Sequence, residues 1–126
     1  MNDDLILEFV TDTEASLVDV TRAESGARLL DQARRVFATI NGTCGFLGLR
    51  RLGGLTEAAV QTLTLIARPG GATPGALNLA LDILASVKVQ LAFLEHNRAE
   101  MAGDDERLIE RMQAYVRNAT VAAQGL

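Results

Sequence analysis

The side chains able to do chemistry are few, and their scarcity decides a good deal. The 126 residues hold one histidine, His96, and one cysteine, Cys44. One imidazole and one thiol cannot supply the nitrogen and sulfur ligands of a usual metal site, so no metal is expected. A lone thiol also excludes an intrachain disulfide. Cys44 lies on an apolar stripe, where a small buried hydrophobe is expected. Thr39 and Thr43 carry hydroxyls, but no base is spaced to activate either as a nucleophile. Gly42, Gly45 and Gly48 recur at steps of three. No strand precedes them, so they match no phosphate-cradling loop. His96, between Glu95 and Asn97, sits near the end of a long helical pattern and reads as a solvent-exposed helix-end residue. No catalytic group and no cofactor site emerge from these residues.

The elements that hold these side chains follow from hydropathy at steps of three and four, which predicts helices throughout. The first is expected from about Asp3 to Glu24, with Leu5, Ile6, Phe9, Thr13, Leu17 and Val20 on one face. Asn2 or Asp3 can cap it, Asp4 and Glu8 suit its positive end, and Ser25-Gly26 ends it. The second is expected from about Ala27 to Phe46, with Leu29, Leu30, Ala33, Val36, Phe37, Ile40, Cys44 and Leu47 inward. A short connection, Gly48 to Arg51, leads into a third helix that runs to about Ala67. Its inward residues are Leu52, Leu55, Ala59, Leu63 and Ile66. The stretch Arg68-Pro69-Gly70-Gly71-Ala72-Thr73-Pro74-Gly75 is the clearest break. Thr73 is placed to cap a fourth helix, with Pro74 at its first position. That helix is expected to reach about Ala102, on a stripe of Leu77, Leu81, Leu84, Val87, Leu91 and Leu94. Gly103-Asp104 separates it from a fifth, from about Asp105 to Ala122, with Leu108, Ile109, Met112, Tyr115 and Val116 inward. Asp104-Asp105-Glu106 reads as a solvated helix start. No alternating strand pattern occurs, and short loops favour antiparallel neighbours.

Composition agrees with one all-α domain spanning 1–126, either entire or the amino-terminal part of a longer protein. Hydrophobic residues make up 48%, but with four Phe, one Tyr and no Trp the core must be built from Leu, Val, Ile and Ala. Net charge is −4, and Arg34-Arg35 and Arg50-Arg51 are only doublets. A nucleic-acid face is therefore not expected. No run of eighteen apolar residues exists, so no membrane insertion is expected. The start is acidic and lacks the basic n-region of a signal peptide, which points to the cytoplasm.

One stretch departs from ordinary helix composition. Ala38-Thr39-Ile40-Asn41-Gly42-Thr43-Cys44-Gly45-Phe46-Leu47-Gly48, preceded by Val36 and Phe37, keeps helical periodicity yet holds three glycines. Each interior glycine costs a helix roughly 0.5–1 kcal/mol against alanine. Close approach of another backbone, from within the chain or from a partner, is the usual compensation.

The stretch resembles the phosphate-accepting helix of histidine phosphotransfer (HPt) domains, above all the amino-terminal domain of CheA-type kinases. That helix reads bulky-Phe-His-Thr-hydrophobic-Lys-Gly-x-x-Gly-x-x-Gly. The resemblance covers Leu5 to about Leu94. It implies an antiparallel four-helix bundle, here with an additional carboxy-terminal helix. It also implies a response-regulator receiver or histidine kinase as partner. Ala38 stands at the phosphoaccepting histidine and Asn41 at the lysine. In the next helix Glu57 aligns with a second histidine and Val60 with the glutamate that orients the phosphoacceptor. Nucleophile, cation and orienting acid are thus replaced together, which implies a degenerate domain that docks a partner without taking phosphate. Helical geometry puts Arg34, Ala38, Asn41 and Gly45 on the edge opposite the core, facing water, with Gly42 beside them. These five are the candidate docking residues. Glu57 is expected to face Asn41 across the groove. Two other readings stand: a CheA-like kinase with phosphorylation moved, for example to His96, or a helical dimerisation module with the Ala38 face buried. Gly42 and Gly45 could instead serve packing of the first or third helix.

Overall fold

The computed structural model describes residues 3–67 and 71–124. Five α-helices follow one another with no strand among the described residues: α1 Asp3–Thr21, α2 Gly26–Leu47, α3 Arg50–Ile66, α4 Pro74–Asn97 and α5 Glu106–Gln124. Asn2 and the segment Arg68-Pro69-Gly70, expected as a cap and as part of a break, lie outside the described residues.

Local chemistry accounts for most boundaries. Ser25 does not end α1, which stops at Thr21. It caps α2 instead, its Oγ accepting from the Arg28 amide at 3.2 Å, and Gly26 is the first helical residue. A Cβ on Gly26 would come within 2.9 Å of the end of the Leu77 side chain, which would have to turn aside to admit it. At the other end Gly48 adopts φ 72°, the left-handed conformation glycine tolerates best, and its amide returns to the Cys44 carbonyl. Only Gly48 and Leu49 separate α2 from α3, so α3 begins at Arg50 within the expected connection. Thr73 caps α4 as its sequence predicts, accepting from the Ala76 amide at 3.2 Å. The helix ends at Asn97, not near Ala102, because Arg98 takes the left-handed cap position with φ 55°.

α2 lies against α1, α3 and α4, and α4 touches all four other helices. Residues 51 and 105, and then 62 and 112, meet across α3 and α5, so α5 runs in the same direction as α3. The Arg111–Asp82 and Tyr115–Thr73 contacts make it antiparallel to α4. The core is aliphatic as composition requires. Ile6, Leu17, Leu30, Phe37, Leu52, Leu55, Leu63, Ile83, Leu84 and Leu91 are among its fully buried members. The inward stripes hold in α2 and α3, with Leu29 and Val36 half-buried. Two leucines expected in the core face out, Leu5 at 37% and Leu81 at 47% exposure, while Val10, Leu79 and Ile83 take core positions. Among the described side chains of α5 only Met112 is fully buried. Leu108, Ile109 and Tyr115 pack half-buried against the core.

Contrary to the expectation from apolar runs, α4 is long and apolar enough by length and composition to cross a bilayer, with a mean hydropathy of 1.6. It nonetheless touches all four other helices and buries Leu79, Ile83, Leu84, Val87 and Leu91 against them, while Asp82 and Lys88 lie exposed on its outer face.

Candidate functional site

The expected docking edge lies on the side of α2 toward α3, and its residues differ in exposure. Ala38, Gly42 and Gly45 are exposed, whereas Arg34 and Asn41 are half-buried. Asn41 is held by the next helix: its Nδ2 donates to the Gly53 carbonyl at 2.9 Å. It therefore bonds α3 backbone and not Glu57, whose side chain is exposed. Thr56 Oγ1, which is buried, donates to the Leu52 carbonyl at 2.8 Å. Arg34 donates to Asp31 at 3.0 Å, and Arg35 shares the same carboxylate at 3.2 Å. Val60 packs half-buried against the core, so no carboxylate stands at that position.

The glycines separate by role. A Cβ on Gly42 or Gly45 would meet no atom within 4 Å, so neither packs against α1 or α3. Gly53 in α3 is the one that lets the two helices meet, since a Cβ there would lie 3.2 Å from Cys44 Cβ. The Gly42–Gly45 surface is thus open, next to an exposed alanine methyl. Thr39 and Thr43 turn their hydroxyls back to the Arg35 and Thr39 carbonyls at 3.2 Å each, as helical threonines do, so neither is poised as a nucleophile. Cys44 is buried. Its burial, and secondly the charge of Glu100, push the thiol up to about 12. A thiol that stays protonated is no nucleophile at neutral pH. His96 is exposed on the last turn of α4.

A second polar constellation was not foreseen. Asp105 is not solvated: its side chain is only 5% exposed. Arg51 Nε and Nη2 donate to its two carboxylate oxygens at 3.2 and 3.1 Å. Gln90 Nε2 donates to the same two oxygens at 3.0 and 3.1 Å, and Ser86 Oγ donates at 3.3 Å. Arg51 Nη1 also donates to the Ala102 carbonyl at 2.8 Å. The Asp105 hydrogen bond raises the Arg51 pKa above its usual value, although partial burial opposes it. Glu100 completes the cluster by accepting from the Arg51 and Leu52 amides at 3.0 and 2.8 Å, capping α3 from beyond α4. These bonds tie together the start of α3, the middle of α4 and the residue just before α5, so the cluster's work is to hold those three helices together. The only signal in sequence was the short polar run Asp104-Asp105-Glu106, which resembles any helix start.

Among the described residues no group of His, Cys, Asp and Glu side chains could hold a metal. No protein-family model matches the chain, and no curated protein and no solved structure resembles it closely enough to be matched.

Proposed function

We infer that this chain is a pseudo-HPt domain of two-component or phosphorelay signalling, one that docks a response-regulator receiver or a histidine kinase without accepting phosphate. On this reading α1 to α4 form the antiparallel four-helix bundle and α5 is an addition laid along α3 and α4. The observation that carries it is the open strip of α2. Gly42 and Gly45 have no packing duty inside the domain, yet each costs helix stability. An incoming partner surface supplies the missing reason. Ala38 stands at the centre of that strip, where an imidazole would have to be for phosphotransfer, and a methyl group cannot take its place.

Two experiments test the reading. The domain is incubated with a CheA-type catalytic domain and ATP, or with a phosphorylated receiver. No acid-labile, base-stable phosphate is expected on it, and its appearance would remove the pseudo-domain reading. Restoring Ala38→His with Asn41→Lys should give at most weak phosphorylation, because Val60 still offers no carboxylate to orient the imidazole. Docking is tested by Gly45→Arg. The variant should fold, since the position is open, and should bind the receiver at least ~10-fold more weakly if Gly45 lies centrally in the interface. Unchanged affinity in a folded variant would take the partner off this face.

A further inference from the structure

The receiver reading leaves unused a groove on the other side of α2. It lies between α1 and α2, has a volume of about 420 Å³, and is lined by Leu5, Phe9 and Asp12 from one helix and Val36, Ile40 and Phe46 from the other. Two apolar side chains stand at one end of it. Leu5 is 37% exposed and Phe46 80%, the most exposed large hydrophobic side chain among the described residues. An apolar floor with an aromatic residue on its lip is the anatomy of a protein-binding groove.

Charge indicates the occupant. α1 carries six carboxylates, Asp3, Asp4, Glu8, Asp12, Glu14 and Asp19, and no Lys or Arg. α2 carries Arg28, Arg34 and Arg35 against one acid, Asp31. The two helices are neighbours, yet no carboxylate of α1 enters an ion pair among the described residues. Leu5, Glu8, Asp12, Ser16 and Asp19 follow at steps of three and four, so they form one stripe of α1. Arg28, Arg35 and Phe46 lie on the outer side of α2 in the same way. One face of the molecule thus presents an acidic strip beside a basic one, and the surface complementary to it is another copy of itself.

We propose that this face is a homodimer interface, with the two-fold axis running along the groove so that α1 of each copy covers α2 of the other. That arrangement brings Leu5 onto the partner's Phe46 at one end. At the other it brings Asp12 and Asp19 within reach of the partner's Arg35. A two-fold across the groove would lay α1 on α1, with Glu8, Asp12 and Asp19 of one copy against the same acidic stripe of the other, and charge rejects it. The interface is isologous, which is the rule for dimers. Helices of 19 and 22 residues are about 30 Å long, and side by side they offer on the order of 500–600 Å². A standard interface uses about 800 Å² per partner, so association is reversible and concentration-dependent.

Sedimentation velocity of the full chain from ~10 µM to ~1 mM, at low and high salt, tests this. The expected result is a monomer–dimer equilibrium that salt weakens. Phe46→Glu should weaken it at least ~10-fold with helicity unchanged, because an exposed side chain carries no part of the core. Arg35→Glu should weaken it, and Arg35→Glu with Asp12→Arg in one chain should recover it. Gly45→Arg, on the opposite edge of α2, should dimerise normally. A monomer at every concentration would overturn the proposal, as would a dimer indifferent to both Phe46→Glu and Arg35→Glu. If the chain stays monomeric while a purified receiver shifts the amide resonances of Leu5 and Phe46, the groove belongs to that partner and the homodimer is refuted.

Discussion

Gly45 and Gly53 are the same residue type in neighbouring helices, and they should respond oppositely to one methyl group. Gly45→Ala enters open space and should stabilise the protein by about 0.5–1 kcal/mol, through helix propensity and a less flexible unfolded chain. Gly53→Ala meets Cys44 Cβ at 3.2 Å, so the crowded α2–α3 contact should offset that gain and lower the melting temperature relative to Gly45→Ala. Thermal melts of the pair decide it; equal gains would mean that α2 and α3 are not tightly apposed. Cys44 offers a pH test. Its thiol is pushed from 9.0 to about 12 by burial, with Glu100 second. A group whose pKa is higher folded than unfolded stabilises the fold below the unfolded value and loses that contribution as pH rises through the folded one. Alkaline stability should therefore fall between about pH 9 and 12, and Cys44→Ala should flatten that fall in denaturant titrations. The burial of Cys44 was legible from its place on a stripe. That of Asp105 was not, because Arg51 is 54 residues away and Gln90 fifteen, and nothing local distinguishes a paired aspartate from a solvated one.

Capping carried most of what sequence revealed about the elements. Thr73 before Pro74 marked the start of α4 because both act within one turn. The same logic was misapplied at Ser25-Gly26, where a serine that caps the following helix looked like a stop for the preceding one. The end of α4 was hidden for another reason: Arg98 in a left-handed conformation has no compositional signature, unlike Gly48. α5 has the weakest claim on the core, with Met112 alone fully buried among its described side chains, and the Arg51–Asp105 pair fastens its start to α3. Breaking a buried pair from one side costs about 3–5 kcal/mol, since it leaves a charge unsatisfied. Asp105→Ala should accordingly destabilise the protein by about 3 kcal/mol, and amide exchange should accelerate in α5 before it does in α2. Uniform acceleration through all helices would show that α5 is not a separable unit.

At the scale of the molecule, the all-helical class and the identity of most core side chains were readable, because five amphipathic segments have few ways to bury their stripes. The direction of α5 along α3 was not, nor was the groove between α1 and α2, since Leu5 looks like a core residue until its neighbours are in place. The arrangement of contacts also orders events in time. The α2–α3 turn joins residues close in the chain, such as Asn41 and Gly53, twelve apart, and the entropy of closing so short a loop is small. Glu100 reaches back forty-nine residues to the Arg51 amide, so α3 must acquire its cap long after it has begun to coil. Folding kinetics should then be polarised: a hairpin of α2 and α3 early, the Glu100 and Asp105 attachments only after the barrier. Arg51→Met should steepen nothing on the refolding limb of a chevron and speed unfolding instead. Emerging from the ribosome, the first two-thirds of the chain would already be coiled and apolar on one side while the residues that lock it shut are still unmade.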